Sequence, residues 1–337
     1  MMAGNSLTGW LPIEIGFDAH PAIVPGALVR WMEFGSTPLA EPFLSHTVDK
    51  LRTGTPPARE LETDLDTLQR WGGRLPSIRP AGFIFHISRC GSTLIANGLK
   101  TSEDVLLVSE SRPLSGLLRP FSTRGGRYTT ARWTQIREAL LKSLFSLFAH
   151  YRTGRPEPLF IKFTSVDILS MSVVRSLWPE VPCVVVVRDP VEVMVASLSG
   201  GGWMSLKSTP ELACQFFGWA DLPRSPDRMT DEEFSARVLG RYFAAARDSV
   251  DEKCMIVDYE DLNPKRVRAI AAHFGVELPT GGDSLEQVFR SYAKDPNKRR
   301  PYQDDRARKQ ALATSVVRGA AYEWATPGYT DLRGRGK

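Results

Sequence analysis

The sequence predicts an α/β protein built on a doubly wound, mostly parallel sheet. Three observations carry that reading. From residue 81 onward, apolar strand-like runs alternate with stretches of helical spacing. The run Pro182-Cys183-Val184-Val185-Val186-Val187 is apolar on both faces, as a strand covered on both sides must be. The first such run, Phe83 to Ile87, passes through a small polar turn into a helix, where sheets of this kind receive ligands.

The elements follow in chain order. Residues 1–80 carry Pro12, Pro21, Pro25, Pro38, Pro42, Pro56, Pro57, Pro76 and Pro80, which leave room only for short helices at 27–33, 45–52 and 60–71. Trp10, Trp31, Phe34, Phe43 and Trp71 anchor this stretch as a helical and irregular N-terminal extension packed on the core. A disordered arm would not carry so many large apolar groups. Residues 81–337 form the main domain. Its strands are expected at 82–87, 105–109, 158–162, 182–187 and 253–257. Its helices are expected at 92–100, 131–151, 166–177, 191–199, 210–219, 231–249 and 263–273. Residues 295–309 are polar and basic and read as a loop.

The bulk numbers narrow the class. The 337 residues, with 42% hydrophobic and 24% charged side chains, suit one large globular domain with an extension. A formal charge of +5 suits an anionic small molecule and is too modest for a nucleic-acid partner. Cys90, Cys183, Cys214 and Cys254 form no C-x-x-C pair and have no His at zinc spacing, so neither a disulfide framework nor a metal site is expected. Residues 1–20 lack an apolar leader core, and the longest apolar run, Val181 to Val187, is far too short for a bilayer. The expectation is a cytoplasmic protein with no membrane partner.

Three motifs carry chemistry. In Ser88-Arg89-Cys90-Gly91-Ser92-Thr93 a tight loop opens a helix, whose free N–H groups and dipole attract an anion. A nucleotide-kinase loop would read G-x-x-x-x-G-K-[ST]. Here the Lys is absent and the basic residue, Arg89, stands inside the loop before Gly91. The second motif, Val187-Arg188-Asp189-Pro190 through Ser197, sends an Arg out of a buried strand into a helix that Pro190 opens. An Arg–Asp pair that merely caps a core helix is the structural alternative. The third is Ile256-Val257-Asp258-Tyr259-Glu260-Asp261-Leu262, whose acidic residues suit capping and loop fixing better than catalysis.

Together the motifs resemble, in order and spacing, those of sulfotransferases that use 3′-phosphoadenosine 5′-phosphosulfate (PAPS), over about residues 81–275. The resemblance implies their P-loop, nucleoside-kinase-like α/β fold, with PAPS as cosubstrate and no metal requirement. Ser88, Arg89, Cys90, Gly91, Ser92 and Thr93 would take the 5′-phosphosulfate, and Arg188 the 3′-phosphate. The family's Ser eight residues after that Arg falls here on Ala196, so Ser197 or Ser199 would replace it. Basic residues Lys294, Lys298, Arg299 and Arg300 either are a solvated loop or close over the nucleotide as C-terminal segments do in relatives.

The choice of base separates branches of the family. Small-molecule sulfotransferases place a His two residues after a Lys in an I-K-T-H strand. Here Phe160-Ile161-Lys162-Phe163-Thr164 puts Thr164 at that position. Ser109-Glu110-Ser111-Arg112 instead resembles the Glu-Glu-Thr-Arg segment of tyrosylprotein sulfotransferases, whose base is a Glu. Glu110 is therefore the expected general base, Arg112 positions base or acceptor, and Lys162 and Arg89 stabilise the departing charge. His86 and His150 read as structural. Gly200-Gly201-Gly202-Trp203 reads as a flexible connection and a candidate acceptor lid. An ATP-dependent phosphotransferase and a catalytically inactive nucleotide-binding module stay open as alternatives. The acceptor is expected to be a small molecule.

Overall fold

The computed structural model describes residues 8–16, 28–119, 130–200, 202–279, 284–295 and 299–336. Lys298 and Gly201 lie outside them. The strands are β1 (Trp10–Gly16), β2 (Leu28–Glu33), β3 (Glu60–Asp64), β4 (Gly82–His86), β5 (Leu106–Ser109), β6 (Leu159–Lys162), β7 (Cys183–Val187) and β8 (Cys254–Asp258). The chain is α/β, and it divides into two compact units: residues 1–82 with 102–162, and residues 83–101 with 163–337.

The first unit contains a three-stranded antiparallel sheet in the order β1-β2-β3. Its registers run from Trp10↔Glu33 to Gly16↔Leu28 and from Leu28↔Asp64 to Met32↔Glu60. The helices expected at 27–33 and over the first half of 60–71 are thus strands. Leu28–Glu33 is too short for its period to decide between helix and strand. Trp31 is fully buried, and its indole N–H donates to the Thr63 hydroxyl at 2.8 Å, fixing β2 on β3. Asp64 ends β3 and caps the helix Leu65–Gly72 by accepting from the Thr67 amide at 2.7 Å. That helix approaches Ser143 so closely that a Cβ at Gly72 would lie 2.5 Å from its Cβ. Parallel strands β5 and β6 complete the unit, registered Leu106↔Leu159 through Ser109↔Lys162.

The second unit holds β4, β7 and β8 as parallel neighbours with β7 central, and every β7 residue is buried. Strand and helix alternate as expected, with helices at Ser92–Leu99, Met171–Leu177, Pro190–Leu198, Asp231–Arg247 and Pro264–His273. Two expectations are corrected here. Cys183 and Cys254 form a disulfide, because parallel pairing of β7 with β8 sets these two residues directly opposite each other. Their separation of 71 residues hides that register from the sequence. Residues 295–309 are not all loop: Arg306–Leu312 is a helix, followed by helices at Ser315–Trp324 and Thr326–Arg335. Trp203 is buried, with its ring 5.5 Å from Tyr242, so the residue after the glycine run is packed. Among the described residues, no helix is long and apolar enough to cross a membrane.

Candidate functional site

In the second unit, β4 runs into the Ser88–Thr93 loop. His86 shapes its first step. The His86 Nε2 lies 3.0 Å from the Phe163 carbonyl, and Nδ1 accepts the Ser88 amide at 3.1 Å, so one neutral tautomer satisfies both contacts. Ser88, Arg89 and Gly91 then adopt left-handed backbone, with φ of 88°, 51° and 82°. Only glycine serves at position 91, where a Cβ would meet Leu262 at 2.6 Å and Tyr259 at 2.9 Å. The helix Ser92–Leu99 starts there, with Gly91 as its N-cap. Among the described residues, the amides of Arg89, Gly91, Ser92 and Thr93 have no acceptor. The Arg89 side chain is exposed and makes no ion pair there. Free amides converging on a helix start form a concavity for an anion. Cys90 is fully buried beneath it.

Arg188 leaves the end of β7 into a crowd of partners. Its guanidinium donates to Glu192 at 2.7 Å, to Asp305 at 2.7 Å and to the Arg89 carbonyl at 2.9 Å. The Tyr259 ring lies against it, 3.9 Å from the guanidinium carbon. Lys309 pairs with the far side of Asp305 at 2.8 Å. Burial alone would raise the Asp305 carboxyl, but hydrogen bonds from Lys309 and Arg188 hold it below the usual carboxylate range. Asp189 caps the following helix by accepting from the Val191 amide at 2.8 Å. The hydroxyls of Ser197 and Ser199 both donate back into their own helix, to Val193 O at 2.8 Å and Ala196 O at 3.0 Å.

The third motif fixes loops. Asp258 accepts from the Glu260 amide at 2.9 Å and from the Tyr329 hydroxyl at 2.7 Å, while Asn263 caps the helix that follows. Arg299 and Arg300 are exposed on a turn, their amides donating to Asp295 at 2.9 Å each. The Arg300 guanidinium lies 4.8 Å from the Tyr292 ring centroid. Asn97, on the loop's own helix, donates to the Ala293 carbonyl at 2.9 Å and so ties this turn to it.

In the first unit, Glu110 and Lys162 stand at the ends of the paired strands β5 and β6. The Glu110 amide donates to the Lys162 carbonyl at 2.8 Å, and the Lys162 ammonium donates to the Glu110 carboxylate. Lys162 is fully buried rather than solvated, with its ammonium 5.4 Å from the Phe43 ring centroid. Glu110 has φ of 53°. Among the described residues, Ser88, Arg89 and Glu110 are the non-glycine residues with left-handed backbone. All three are predicted site residues, and such strain concentrates where a side chain must be aimed. Ser111 caps the helix Arg112–Leu118, which holds Arg112 at its first turn. His150 is buried, its Nδ1 bonded to the Ser146 carbonyl at 2.8 Å.

Sequence reading missed Glu192, Asp305, Lys309 and Tyr259 as neighbours of Arg188. Only Glu192 was within reach of it, by its position one helical turn after Arg188. Among the described residues, no group of His, Cys, Asp or Glu is placed to hold a metal ion.

No family model and no curated protein matches this sequence. The chain is similar to solved sulfotransferase structures. One is a sulfotransferase from Alicyclobacillus acidocaldarius, at 13% identity and TM-score 0.36 over 73% of this chain and 96% of that one. Another is the sulfotransferase domain from the curacin biosynthetic pathway, at 16% identity and TM-score 0.41 over 74% and 98%. A third is the sulfotransferase domain of the Synechococcus PCC 7002 olefin synthase, at 17% identity and TM-score 0.40 over 74% and 97%.

Proposed function

We propose that this chain is a sulfotransferase that moves the sulfuryl group of PAPS to a hydroxyl or amine of a small acceptor. The carrying observation is the Ser88–Thr93 loop, with the acceptor-free amides of Arg89, Gly91, Ser92 and Thr93, its left-handed turn and the exposed, unpaired Arg89. Those are the donors a phosphosulfate requires. In this reading Glu110 takes the acceptor proton as the acceptor oxygen or nitrogen bonds to sulfur. The sulfur–oxygen bond to the 5′-phosphate breaks, and its electron pair stays on the departing nucleotide. Arg89 and Lys162 meet that developing negative charge, the part an Mg²⁺ ion plays for a kinase. Arg112 positions the acceptor.

Arg188 holds the 3′-phosphate by displacing a carboxylate, and the Ser197 hydroxyl, which donates to the Val193 carbonyl, joins it by turning toward the phosphate. Arg299 and Arg300 sit on a segment tied to the loop helix, within a turn suited to covering the nucleotide. The test is a thermal-shift comparison of 3′-phosphoadenosine 5′-phosphate (PAP) with ATP, followed by acceptor-dependent release of PAP from PAPS. PAP should raise Tm where ATP does not. Stabilisation by ATP in excess of PAP would overturn the reading in favour of a phosphotransferase.

A further inference from the structure

The first unit carries an open cavity of about 210 Å³, and Glu110 lines it. Most of the remaining wall comes from the N-terminal sheet and from the helix Leu44–Arg52. Ile13, Leu44 and Val48 give it a buried apolar floor. Around that floor four carboxylates, Glu14, Asp49, Glu60 and Glu110, stand with Arg30, Arg52 and Arg112. Arg30 pairs with Glu14 at 2.9 Å, Arg52 pairs with Glu60 at 2.8 Å, and Glu110 pairs with Lys162. Asp49 also lines the cavity and lies 3.8 Å from Arg52. Arg112 differs from all of these. It lines the same cavity, is exposed, and among the described residues has neither an ion pair nor a hydrogen bond on its guanidinium.

We infer that the acceptor is a small hydroxylated molecule carrying a carboxylate or phosphate, seated in this cavity with its anion on Arg112. The inference rests on the sulfotransferase reading for the word acceptor; the cavity and its charge pattern stand without it. A cationic ligand would meet the open guanidinium, and Glu14, Glu60 and Glu110 are each already held by a cation of the protein. A neutral ligand would leave Arg112 without a partner as the cavity fills. An anion gains a charge-assisted contact that a guanidinium makes bidentate. Size agrees, since drug-sized ligands take roughly 300–1,000 Å³ and this space is smaller. The N-terminal extension thereby acquires a role: it is the acceptor-binding wall, and Arg112 sets specificity.

The test uses matched probes in two arms, 4-hydroxybenzoate against 4-hydroxybenzyl alcohol and glycerol 3-phosphate against glycerol. Binding is measured on the full chain without nucleotide, by saturation-transfer NMR and calorimetry. The anionic member of at least one arm should bind about tenfold tighter than its neutral partner, in line with a charge-assisted contact. The arm that responds distinguishes carboxylate from phosphate. Arg112→Gln should bring the anionic probe to the neutral level, and Ser45→Phe, which fills the cavity from a half-buried position, should abolish binding of both. Circular dichroism confirms that each variant is folded. Equal binding of charged and neutral probes, a preference that survives Arg112→Gln, or no binding of either anion overturns the inference. PAP affinity measured in parallel keeps the two claims apart: its loss sinks the sulfotransferase reading, whereas an anion preference in the cavity does not depend on it.

Discussion

Arg112 and Arg188 carry the same guanidinium into opposite circumstances. Arg188 is buried and saturated by two carboxylates, a carbonyl and an aromatic face. Arg112 is exposed and unpaired among the described residues, beside a carboxylate on strained backbone. A cation's readiness for a ligand depends on what it must release. Arg112 accepts an anion directly. On the proposed function Arg188 must first give up Asp305, so its affinity for phosphate would be a difference between two ion pairs.

The sharpest way to break this contrast is to remove the saturated cation. In Arg188→Ala the Glu192 carboxylate, whose side chain is 8% exposed, loses its ion pair. Leaving one partner of a buried pair alone costs about 3–5 kcal/mol. Urea denaturation should show a loss of that size, and adding Glu192→Gln should restore part of it. The preference for PAP over adenosine 5′-monophosphate should vanish in both variants. An unchanged unfolding midpoint for Arg188→Ala would show that the cluster is looser than its contacts.

At the open end the expected loss is in rate rather than stability. Glu110→Gln keeps the shape of the side chain but cannot take a proton. Turnover should fall by about a hundredfold or more, the usual contribution of a positioned base, while PAP affinity stays within twofold. A phenolate acceptor at high pH, already deprotonated, should recover part of the rate. Full activity of the variant with an ordinary alcohol would remove Glu110 from the mechanism.

The two clusters also differ in how much of them the sequence reveals. The loop motif, the strand end at Arg188 and the helix opened by Pro190 are local, and local patterns survive in one dimension. Lys162 and Glu110 were legible as strand ends, but not as a pair, because parallel register joins residues 52 apart. Asp305 was read as part of a loop. It reaches Arg188 over 117 residues, from the start of a helix whose hydrophobic pattern is too short to see. The N-terminal sheet was hidden for a related reason. Glu60-Leu61-Glu62-Thr63-Asp64 has little strand propensity of its own and is a strand because β2 offers it a partner. The cavity was therefore invisible until those strands were paired.

A milder change sharpens the contrast from the other side. Asp305→Asn keeps a hydrogen-bond acceptor near Arg188 but withdraws the charge that, on the proposed function, the 3′-phosphate would displace. Asp305 is 30% exposed, so the pair is worth no more than about 0.5–1 kcal/mol. PAP should bind about two- to fivefold tighter to the variant, with adenosine 5′-monophosphate unchanged. Weaker PAP binding would mean that Asp305 orients Arg188 for the nucleotide instead of competing with it.

The smallest effect is one of pH, and its sign follows from the direction of a single shift. Against burial, which raises it, the hydrogen bonds from Lys309 and Arg188 hold the Asp305 carboxyl below its ordinary value. The folded state therefore favours the ionised form more than the unfolded chain does, where an aspartate titrates near pH 4. The stabilisation is present above that unfolded value and is lost as pH falls through the lower folded one. Asp305→Asn has no such proton to take up. Urea midpoints of wild type and variant should therefore differ by a constant amount from pH 7 to about pH 5, and the gap should narrow below about pH 4. Arg112 predicts the opposite behaviour for its own cluster: with no carboxylate bound to it, Arg112→Gln should track wild type across the same range. A gap between wild type and Arg112→Gln that narrows in acid would reveal a hidden carboxylate on Arg112, and the contrast between the two arginines would collapse.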